Sequence, residues 1–181
     1  GEARPNYDSV AEFDSAGNII KTAVDAWGRI DILVNNAGIL RDKQLVNMSP
    51  DDFDAVLKVH LYGGFNCCRH ALPVMREKGY GRIINIVSSA GLRGNFGQAN
   101  YGAAKAGLMG MTFVIAVEHL KGNAEGKYSI TANALAPAGM TRMVGQIPGM
   151  EGRPVPPEMN PDLNGPIVAF LGSEQAAHVN G

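Results

Sequence analysis

The spacing of apolar residues along the chain changes repeatedly between a helical period and short continuous runs. Apolar side chains recur three and four positions apart in three long segments, which predicts helices at 15–27, 50–78 and 100–121. Short apolar runs bounded by glycine or asparagine predict buried parallel strands at 30–34, 82–88 and 128–136. This alternation of helices and strands is typical of an α/β fold.

Glycine and proline mark the irregular parts of the chain. Gly63, Gly64 and Pro73 predict a bend in the second helix. Five prolines and several glycines between 142 and 161 exclude a long helix there and predict a mobile lid on the substrate side. Residues 1–181 fit a single domain, and a short helix at 166–171 is the last one predicted.

The composition, the net charge and the cysteine positions exclude several classes of function. A hydrophobic content of 45% and a net charge of −1 are ordinary for a globular protein and too weakly basic to predict nucleic-acid binding. The sequence has neither a continuous apolar run of about 18 residues nor a leader at its start, so no membrane or secretory segment is predicted. Cys67 and Cys68 are adjacent on a helix and point apart, which argues against a disulfide and favours a reducing, cytoplasmic environment.

The candidate chemistry lies between Arg82 and Leu108. Tyr101 and Lys105 are four positions apart on a predicted helix, so their side chains share a face. A nearby ammonium favours the phenolate, and we therefore expect Lys105 to lower the pKa of Tyr101 towards neutrality. Ser88 ends the apolar strand before this helix and can hold a substrate oxygen beside the phenol. These residues predict proton transfer to or from an alcohol or carbonyl, and no metal site is predicted.

This arrangement resembles the short-chain dehydrogenase/reductase family. Ser88 stands thirteen positions before Tyr101, and Asn36, within Asn35-Asn36-Ala37-Gly38, stands 52 positions before Ser88, as is usual in the family. The resemblance implies a Rossmann-like, doubly wound parallel sheet and hydride transfer with NAD or NADP, NAD being favoured. It also implies that Tyr101 is the acid/base, that Lys105 holds the cofactor ribose and that Asn36 supports the cofactor.

Further cofactor contacts follow only from the same resemblance. Ser9 and Val10 correspond to the loop that packs on the adenine ring, where Asp8 is an equally plausible partner. Thr141 corresponds to a residue near the nicotinamide carboxamide, although Pro137-Ala138-Gly139 is one residue off the family's Pro-Gly turn.

His60 departs from the family pattern, since many members carry an asparagine there that supports a proton relay to the lysine. A single histidine on a helix is usually a packing residue. The surrounding VHLYGGF, however, resembles the (3R)-hydroxyacyl-CoA dehydrogenase part of multifunctional β-oxidation enzymes, which carry histidine. Both interpretations of His60, packing and relay, stay open. The same resemblance implies that the protein is peroxisomal if its source is a eukaryote.

Substrate and partner also rest on the resemblance. It implies a (3R)-hydroxyacyl-CoA or a steroid-like alcohol, with reduction of 3-oxoacyl chains on acyl carrier protein as the alternative. The helix after Asn100 is rich in small residues, which in the family pack against a second subunit. We therefore expect a homodimer or homotetramer, the alternative being an internal contact.

The family's first glycine-rich phosphate loop has no counterpart in these residues. Gly91, Gly94 and Gly97 are spaced like one, but they follow the wrong strand and are interpreted as turn residues beside the substrate pocket. We therefore expect a fold truncated at both ends, a fragment of a longer polypeptide. The sequence leaves two functions open: an active oxidoreductase, or a catalytically silent relative that serves as an association subunit.

Overall fold

A three-stranded parallel sheet forms the centre of the molecule, whose computed structural model describes residues 1–139 and 154–181. The strands are β1 (Ile32–Asn35), β2 (Tyr80–Ile86) and β3 (Ser129–Leu135), in that order across the sheet. Asn35 pairs with Asn85 at one edge of the sheet, and Ile86 pairs with Leu135. The carboxyl ends of all three strands therefore meet at the same edge, where open α/β sheets bind ligands.

Helices connect the strands, as the apolar spacing predicts. They are α1 (Phe13–Trp27), α2 (Pro50–Leu57), α3 (Gly63–Lys78), α4 (Ser89–Arg93), α5 (Ala99–Ala124) and α6 (Gly165–Leu171). Gly28 ends α1 with φ +72°, and the Ser49 hydroxyl caps α2 by accepting a hydrogen bond from the Asp52 amide. The described part of the chain thus forms the α/β fold expected from the sequence.

One continuous core lies between the sheet and helices α1, α3 and α5. Its buried apolar side chains come from all three helices and all three strands: Ala16, Ile20, Leu33, Cys67, Cys68, Ala71, Met75, Ile83, Ile115, Ile130 and Ala132. Both cysteines are free, as the sequence predicts. Helix α6 packs near the opposite face of the sheet, where Gly172 lies against Ile32. Helices on both faces are what a doubly wound sheet requires.

The irregularity of the second predicted helix has a different cause from the one expected. The chain forms a π-helical turn over Lys58–Tyr62 between α2 and α3, whereas Gly63, Gly64 and Pro73 all lie within α3. A π turn inserts an extra residue into a helix and is frequent at functional sites. It places His60 at its middle, with 3% of the side chain exposed.

Helix α5 is long and apolar enough, by those two measures alone, to cross a bilayer. It nevertheless carries the buried polar residues Asn100, Lys105, Thr112 and His119 and packs on β3 and α2. This is the arrangement of a core helix, in which polar side chains bond to neighbouring protein groups.

Candidate active site

The predicted serine and tyrosine, Ser88 and Tyr101, lie close together at the carboxyl edge of the sheet. Ser88 follows β2 by two residues and caps α4, its Oγ accepting a hydrogen bond of 3.1 Å from the Ala90 amide. The sequence predicted a strand as far as Ser88 and a turn in place of α4. Tyr101 stands half-buried in the first turn of α5, close enough to Ser88 for the serine side chain to lower the pKa of its phenol.

Lys105 completes the group, one helical turn after Tyr101. Its ammonium Nζ lies 5.5 Å from the centroid of the Tyr101 ring and donates a hydrogen bond to the carbonyl of Ile86, the last residue of β2. Lys105 is only 3% exposed, and burial lowers its pKa to about 8. Ser88, Tyr101 and Lys105 are therefore brought together, as the sequence spacing indicates.

The expected effect of Lys105 on the phenol does not hold in this arrangement. The pKa of Tyr101 is raised, chiefly by burial; the side chain of Ser88 lowers it and the charge of Asp42 raises it. Burial disfavours the phenolate, and the Lys105 ammonium is bonded to Ile86 rather than to the phenol oxygen. Tyr101 is therefore a neutral hydroxyl at neutral pH.

His60 lies against the tyrosine from the π turn. Its ring meets that of Tyr101 edge-on, with 5.0 Å between the centroids, and its Nε2 lies 2.8 Å from the Ile39 carbonyl oxygen. Burial, followed by the charge of Lys105, lowers the pKa of His60 to about 4, so the ring is neutral at pH 7. A Cβ atom on Gly38 would stand 2.4 Å from the His60 ring, so the neighbouring backbone leaves no room for a side chain.

A small cavity separates His60 from Lys105. Its volume of about 10 Å³ is close to that of one water molecule, and its polar lining comes from His60, Lys105 and Asn35. His60 Nδ1 is buried and has no hydrogen-bond partner among the residues that the structure describes. A buried ring nitrogen without a partner is costly, and a bridging water would satisfy it.

A chain of buried amides and hydroxyls supports the site from below. The Asn35 amide donates a 2.7 Å hydrogen bond to Asn85 Oδ1, and Asn85 Nδ2 donates a 2.8 Å hydrogen bond to the Thr112 hydroxyl. Asn35 also donates to the Cys68 sulfur at 3.3 Å. The ends of β1 and β2 are thus joined by hydrogen bonds to α5, the helix that carries Lys105.

A second polar cluster, which sequence reasoning missed, fixes the start of α5. Asn100 is fully buried; its side-chain oxygen accepts a 2.7 Å hydrogen bond from the Tyr101 amide, and its Nδ2 donates to the carbonyls of Arg41 and Asp52. Gln98 donates a 2.7 Å hydrogen bond to Asp42. The amide residues Gln98 and Asn100, within three positions of Tyr101, were the available signal.

The residues predicted to bind the cofactor lie partly at the protein surface and partly at the small cavity. Asn36 is exposed just beyond β1, and Val10 lines the small cavity next to Gly63. Ser9 is exposed, and its Oγ accepts a 3.2 Å hydrogen bond from the Ala11 amide. Asp8 accepts hydrogen bonds from Ser15 and Asn18.

The remaining sequence predictions fall partly outside the described residues. Thr141 lies outside them, as does most of the predicted lid at 142–161, of which 154–161 is described and contains only short 3₁₀ turns. In the described ranges, no group of three or more His, Cys, Asp or Glu side chains is arranged to hold a metal ion.

Comparison with known proteins identifies the family. The model of the short chain dehydrogenase family matches residues 5–151. The chain belongs to the short-chain dehydrogenase family. The family resemblance inferred from Ser88, Tyr101, Lys105 and the Asn35–Gly38 segment is therefore confirmed, and members of this family are oxidoreductases that act on CH–OH groups.

The chain is similar to dehydrogenases of several kinds, some of them part of a larger chain. A short-chain type dehydrogenase/reductase of Mycobacterium tuberculosis is 49% identical over 98% of this chain and 59% of its own. The peroxisomal hydratase-dehydrogenase-epimerase of Neurospora crassa is 45% identical over 94% of this chain and 18% of its own. Hydroxyacyl-CoA dehydrogenase ChsB1 of M. tuberculosis is 39% identical over 95% of this chain and 56% of its own.

A solved structure agrees with the fold. The crystal structure of a short chain dehydrogenase from Mycobacterium avium superimposes with a TM-score of 0.81 and 42% identity, covering 99% of this chain and 59% of that one. The chain therefore spans about three-fifths of the length of this short-chain dehydrogenase and less than a fifth of the fungal multifunctional enzyme.

Proposed function

We propose that the protein is a nicotinamide-dependent oxidoreductase that interconverts a secondary alcohol and a ketone. The observation that carries this proposal is the convergence of Ser88, Tyr101 and Lys105 at the carboxyl edge of the sheet, with the Lys105 ammonium 5.5 Å from the centroid of the Tyr101 ring. A neutral phenol can give a proton to a substrate oxygen, and its phenolate can take one back.

The residues present fit a dinucleotide at this edge. The buried ammonium of Lys105 uses one carbonyl acceptor among the described residues, which leaves N–H groups for ribose hydroxyls. Asn36 stands exposed beyond β1, where it can meet the same ligand, and Ser9, Val10 and Thr141 are proposed contacts by resemblance. Bound NAD or NADP would supply the hydride acceptor for alcohol oxidation and the hydride donor for ketone reduction.

The protein's own residues manage the proton. In reduction, Ser88 holds the carbonyl oxygen and the Tyr101 hydroxyl donates its proton to it; in oxidation, the phenolate of Tyr101 accepts the alcohol proton. Because burial raises the pKa of Tyr101, the phenol is ready to donate at neutral pH, whereas oxidation is favoured by higher pH.

His60 is proposed to serve as a relay in addition to packing. With the proton on Nε2, which lies 2.8 Å from the Ile39 oxygen, its Nδ1 is a free acceptor at the small cavity. A water in that cavity would accept from the Lys105 ammonium and donate to His60 Nδ1. This path would connect the active-site lysine to the backbone carbonyl of Ile39, in the segment after β1.

The proposed substrate is a 3-hydroxyacyl-CoA, oxidised at its secondary alcohol. The support comes from the hydroxyacyl-CoA dehydrogenase and the peroxisomal multifunctional enzyme among the relatives, together with exposed apolar side chains, Leu92 and Phe96, on the segment after Ser88. A steroid-like alcohol, or a 3-oxoacyl chain on acyl carrier protein in the reductive direction, is the alternative.

NAD is the favoured cofactor. The proposed location of the protein is the cytoplasm, or the peroxisome if its source is a eukaryote.

Replacing the phenol tests this function directly. Tyr101→Phe keeps the ring but removes the proton donor, so we expect turnover of (3R)-3-hydroxyacyl-CoA with NAD to fall by about 10²–10⁴-fold. Binding of the dinucleotide, followed by fluorescence titration, should change little. Tyr62→Phe, an exposed phenol on the π turn, is the matched control.

The two functions left open by the sequence are separated by the same assay. Measurable turnover by the unaltered protein that Tyr101→Phe leaves unchanged would refute the role of the phenol. A folded protein that turns over neither acyl-CoA nor acyl carrier protein substrates with either dinucleotide would favour the catalytically silent relative.

We also propose a homodimer or homotetramer that forms through α5. Exposed apolar side chains follow one stripe of this helix: Phe113, Val114, Val117 and Leu120. Exposed apolar residues at helical spacing mark a surface that a second protein surface covers, and a second copy of the chain is the proposed partner.

A further inference from the structure

A buried asparagine directly before the phenol holds the phenol's backbone. Asn100 is 0% exposed, and its Oδ1 accepts a 2.7 Å hydrogen bond from the Tyr101 amide. Tyr101 is the third residue of α5, where the backbone N–H has no acceptor within the helix. Gln98 stands where a capping side chain is usual, but it bonds Asp42 and Asn95 instead. Asn100 therefore supplies the acceptor from inside the helix.

The other end of the same amide reaches two further segments. Asn100 Nδ2 donates hydrogen bonds of 3.0 Å to the Arg41 carbonyl and 3.1 Å to the Asp52 carbonyl. Arg41 lies in the loop after β1, and Asp52 lies in the first turn of α2. An amide nitrogen carries two N–H donors, and each has an acceptor here. One side chain thus ties the start of α5 to both segments.

The loop that Asn100 holds also positions the ring that lies against Tyr101. The Ile39 carbonyl, two residues before Arg41, lies 2.8 Å from His60 Nε2. The His60 ring meets the Tyr101 ring edge-on at 5.0 Å. The loop after β1 is therefore fixed to the backbone of Tyr101 through Asn100 and to the edge of its ring through His60.

We propose that Asn100 is a positioning residue for the proton-transfer step, which fixes the phenol of Tyr101 by joining its backbone to the loop after β1 and to α2. The proposal rests on the proposed acid/base role of Tyr101. Asn100 exchanges no proton itself and acts only through the phenol. Its three bonds are buried, so water does not replace them at their present positions when the side chain is removed.

Asn100→Ala tests the proposal by removing all three bonds. A small displacement of a catalytic group is costly, and we expect kcat and kcat/KM for 3-hydroxyacyl-CoA oxidation to fall together, by about 10–100-fold. Lys105 keeps its own hydrogen bond to the Ile86 carbonyl, so the dissociation constant of the dinucleotide, measured by fluorescence titration, should stay within about twofold.

Asn123→Ala is the matched control at the opposite end of α5. The Asn123 side chain also bonds the backbone in two ways, donating to the Ile130 carbonyl at 2.7 Å and accepting from the Ile130 amide at 3.0 Å. Its removal costs comparable bonds within the same helix but leaves the start of α5 intact. We expect turnover by this variant to match that of the unaltered protein.

A double variant separates positioning from a general loss of structure. In the Tyr101→Phe background there is no phenol left to position, so adding Asn100→Ala should lower the residual turnover by less than about twofold. A merely structural role would lower turnover by the same factor with and without the phenol.

Each outcome decides the proposal. Unchanged turnover in Asn100→Ala, with Tyr101→Phe impaired, would overturn it and leave the proposed function standing. Equal losses in both backgrounds, or an equal loss in Asn123→Ala, would also overturn it. If circular dichroism shows Asn100→Ala to be unfolded, Asn100→Ser, which keeps an acceptor, undergoes the same measurements, and failure of both to fold would assign Asn100 to the fold alone. Full turnover in Tyr101→Phe would instead refute the proposed function.

Discussion

Individual side chains set the electrostatics of this site. Tyr101, Lys105 and His60 are all buried to a degree that disfavours their charged forms, and each pKa moves in the direction that burial dictates. The sequence predicted that the first two share a face, but it gave no measure of burial. This is why the proximity of Lys105 was foreseen, whereas the raised pKa of Tyr101 was not.

The buried histidine makes stability depend on pH. The pKa of His60 is about 4 in the folded protein against 6.5 in the unfolded chain, so the contribution of the neutral ring is complete above pH 6.5 and is lost as the pH falls towards 4. We expect the free energy of unfolding to drop by about 2 kcal/mol more between pH 7 and pH 4.5 than it does in His60→Asn, since each pKa unit is worth about 1.4 kcal/mol.

Urea unfolding at the two pH values measures this difference. His178→Asn removes a histidine from an exposed position and should show the same pH dependence as the unaltered protein. An identical fall in stability for His60→Asn and the unaltered protein would mean that His60 is able to take a proton in the folded state without cost.

At the scale of elements, hydrogen bonds between side chains join pieces that are distant in sequence. Asn85 on β2 accepts from Asn35 on β1 and donates to Thr112 on α5, with distances of 2.7 and 2.8 Å. Because strand β2 carries the Ile86 carbonyl that binds Lys105, this chain of bonds fixes the lysine relative to both strands. Removing its middle member leaves buried polar atoms without partners.

Asn85→Ala should therefore lower the free energy of unfolding by about 2–3 kcal/mol. Thr112→Val removes the last acceptor of the chain together with the hydroxyl's own hydrogen bond to the Leu108 carbonyl, and it should cost less, about 1–2 kcal/mol. Chemical unfolding of the two single variants and the double variant gives their coupling, expected at about 1 kcal/mol. Strictly additive effects would contradict a shared network.

The element pattern was largely predictable from sequence, with two informative exceptions. Three long helices and three strands follow from the apolar pattern, because each helix buries one regular face and each strand is a short apolar run. Helix α4 has five residues, too few to show a period, and its glycines indicated a turn. The Asp42–Gln98 contact joins residues 56 positions apart, a pairing that only the folded chain reveals.

For the molecule as a whole, the exposed stripe on α5 is the feature that a lone chain does not explain. Val117 is 65% exposed at its centre, within a helix whose other face forms the core. Val117→Arg should shift the proposed oligomer towards the monomer, by at least tenfold in dissociation constant, because a charge would be buried at the contact. Analytical ultracentrifugation over a concentration series measures it.

Val46→Arg is the matched control, since Val46 is 87% exposed in the loop after β1 rather than on α5. Equal dissociation by both variants would point to a nonspecific effect of added charge. A monomer in the unaltered protein at every concentration would remove the proposed interface.

The π turn at Lys58–Tyr62 changes the phase of the helical segment that contains it. A helical residue advances about 100° around the axis, so a five-residue turn in place of a regular one re-phases everything that follows it. Deleting one residue from Lys58–Tyr62 would restore regular winding, but it would turn either His60 away from Tyr101 or α3 away from the sheet. The wider turn thus allows one helical segment both to bury the imidazole of His60 and to keep the apolar face of α3 against the core.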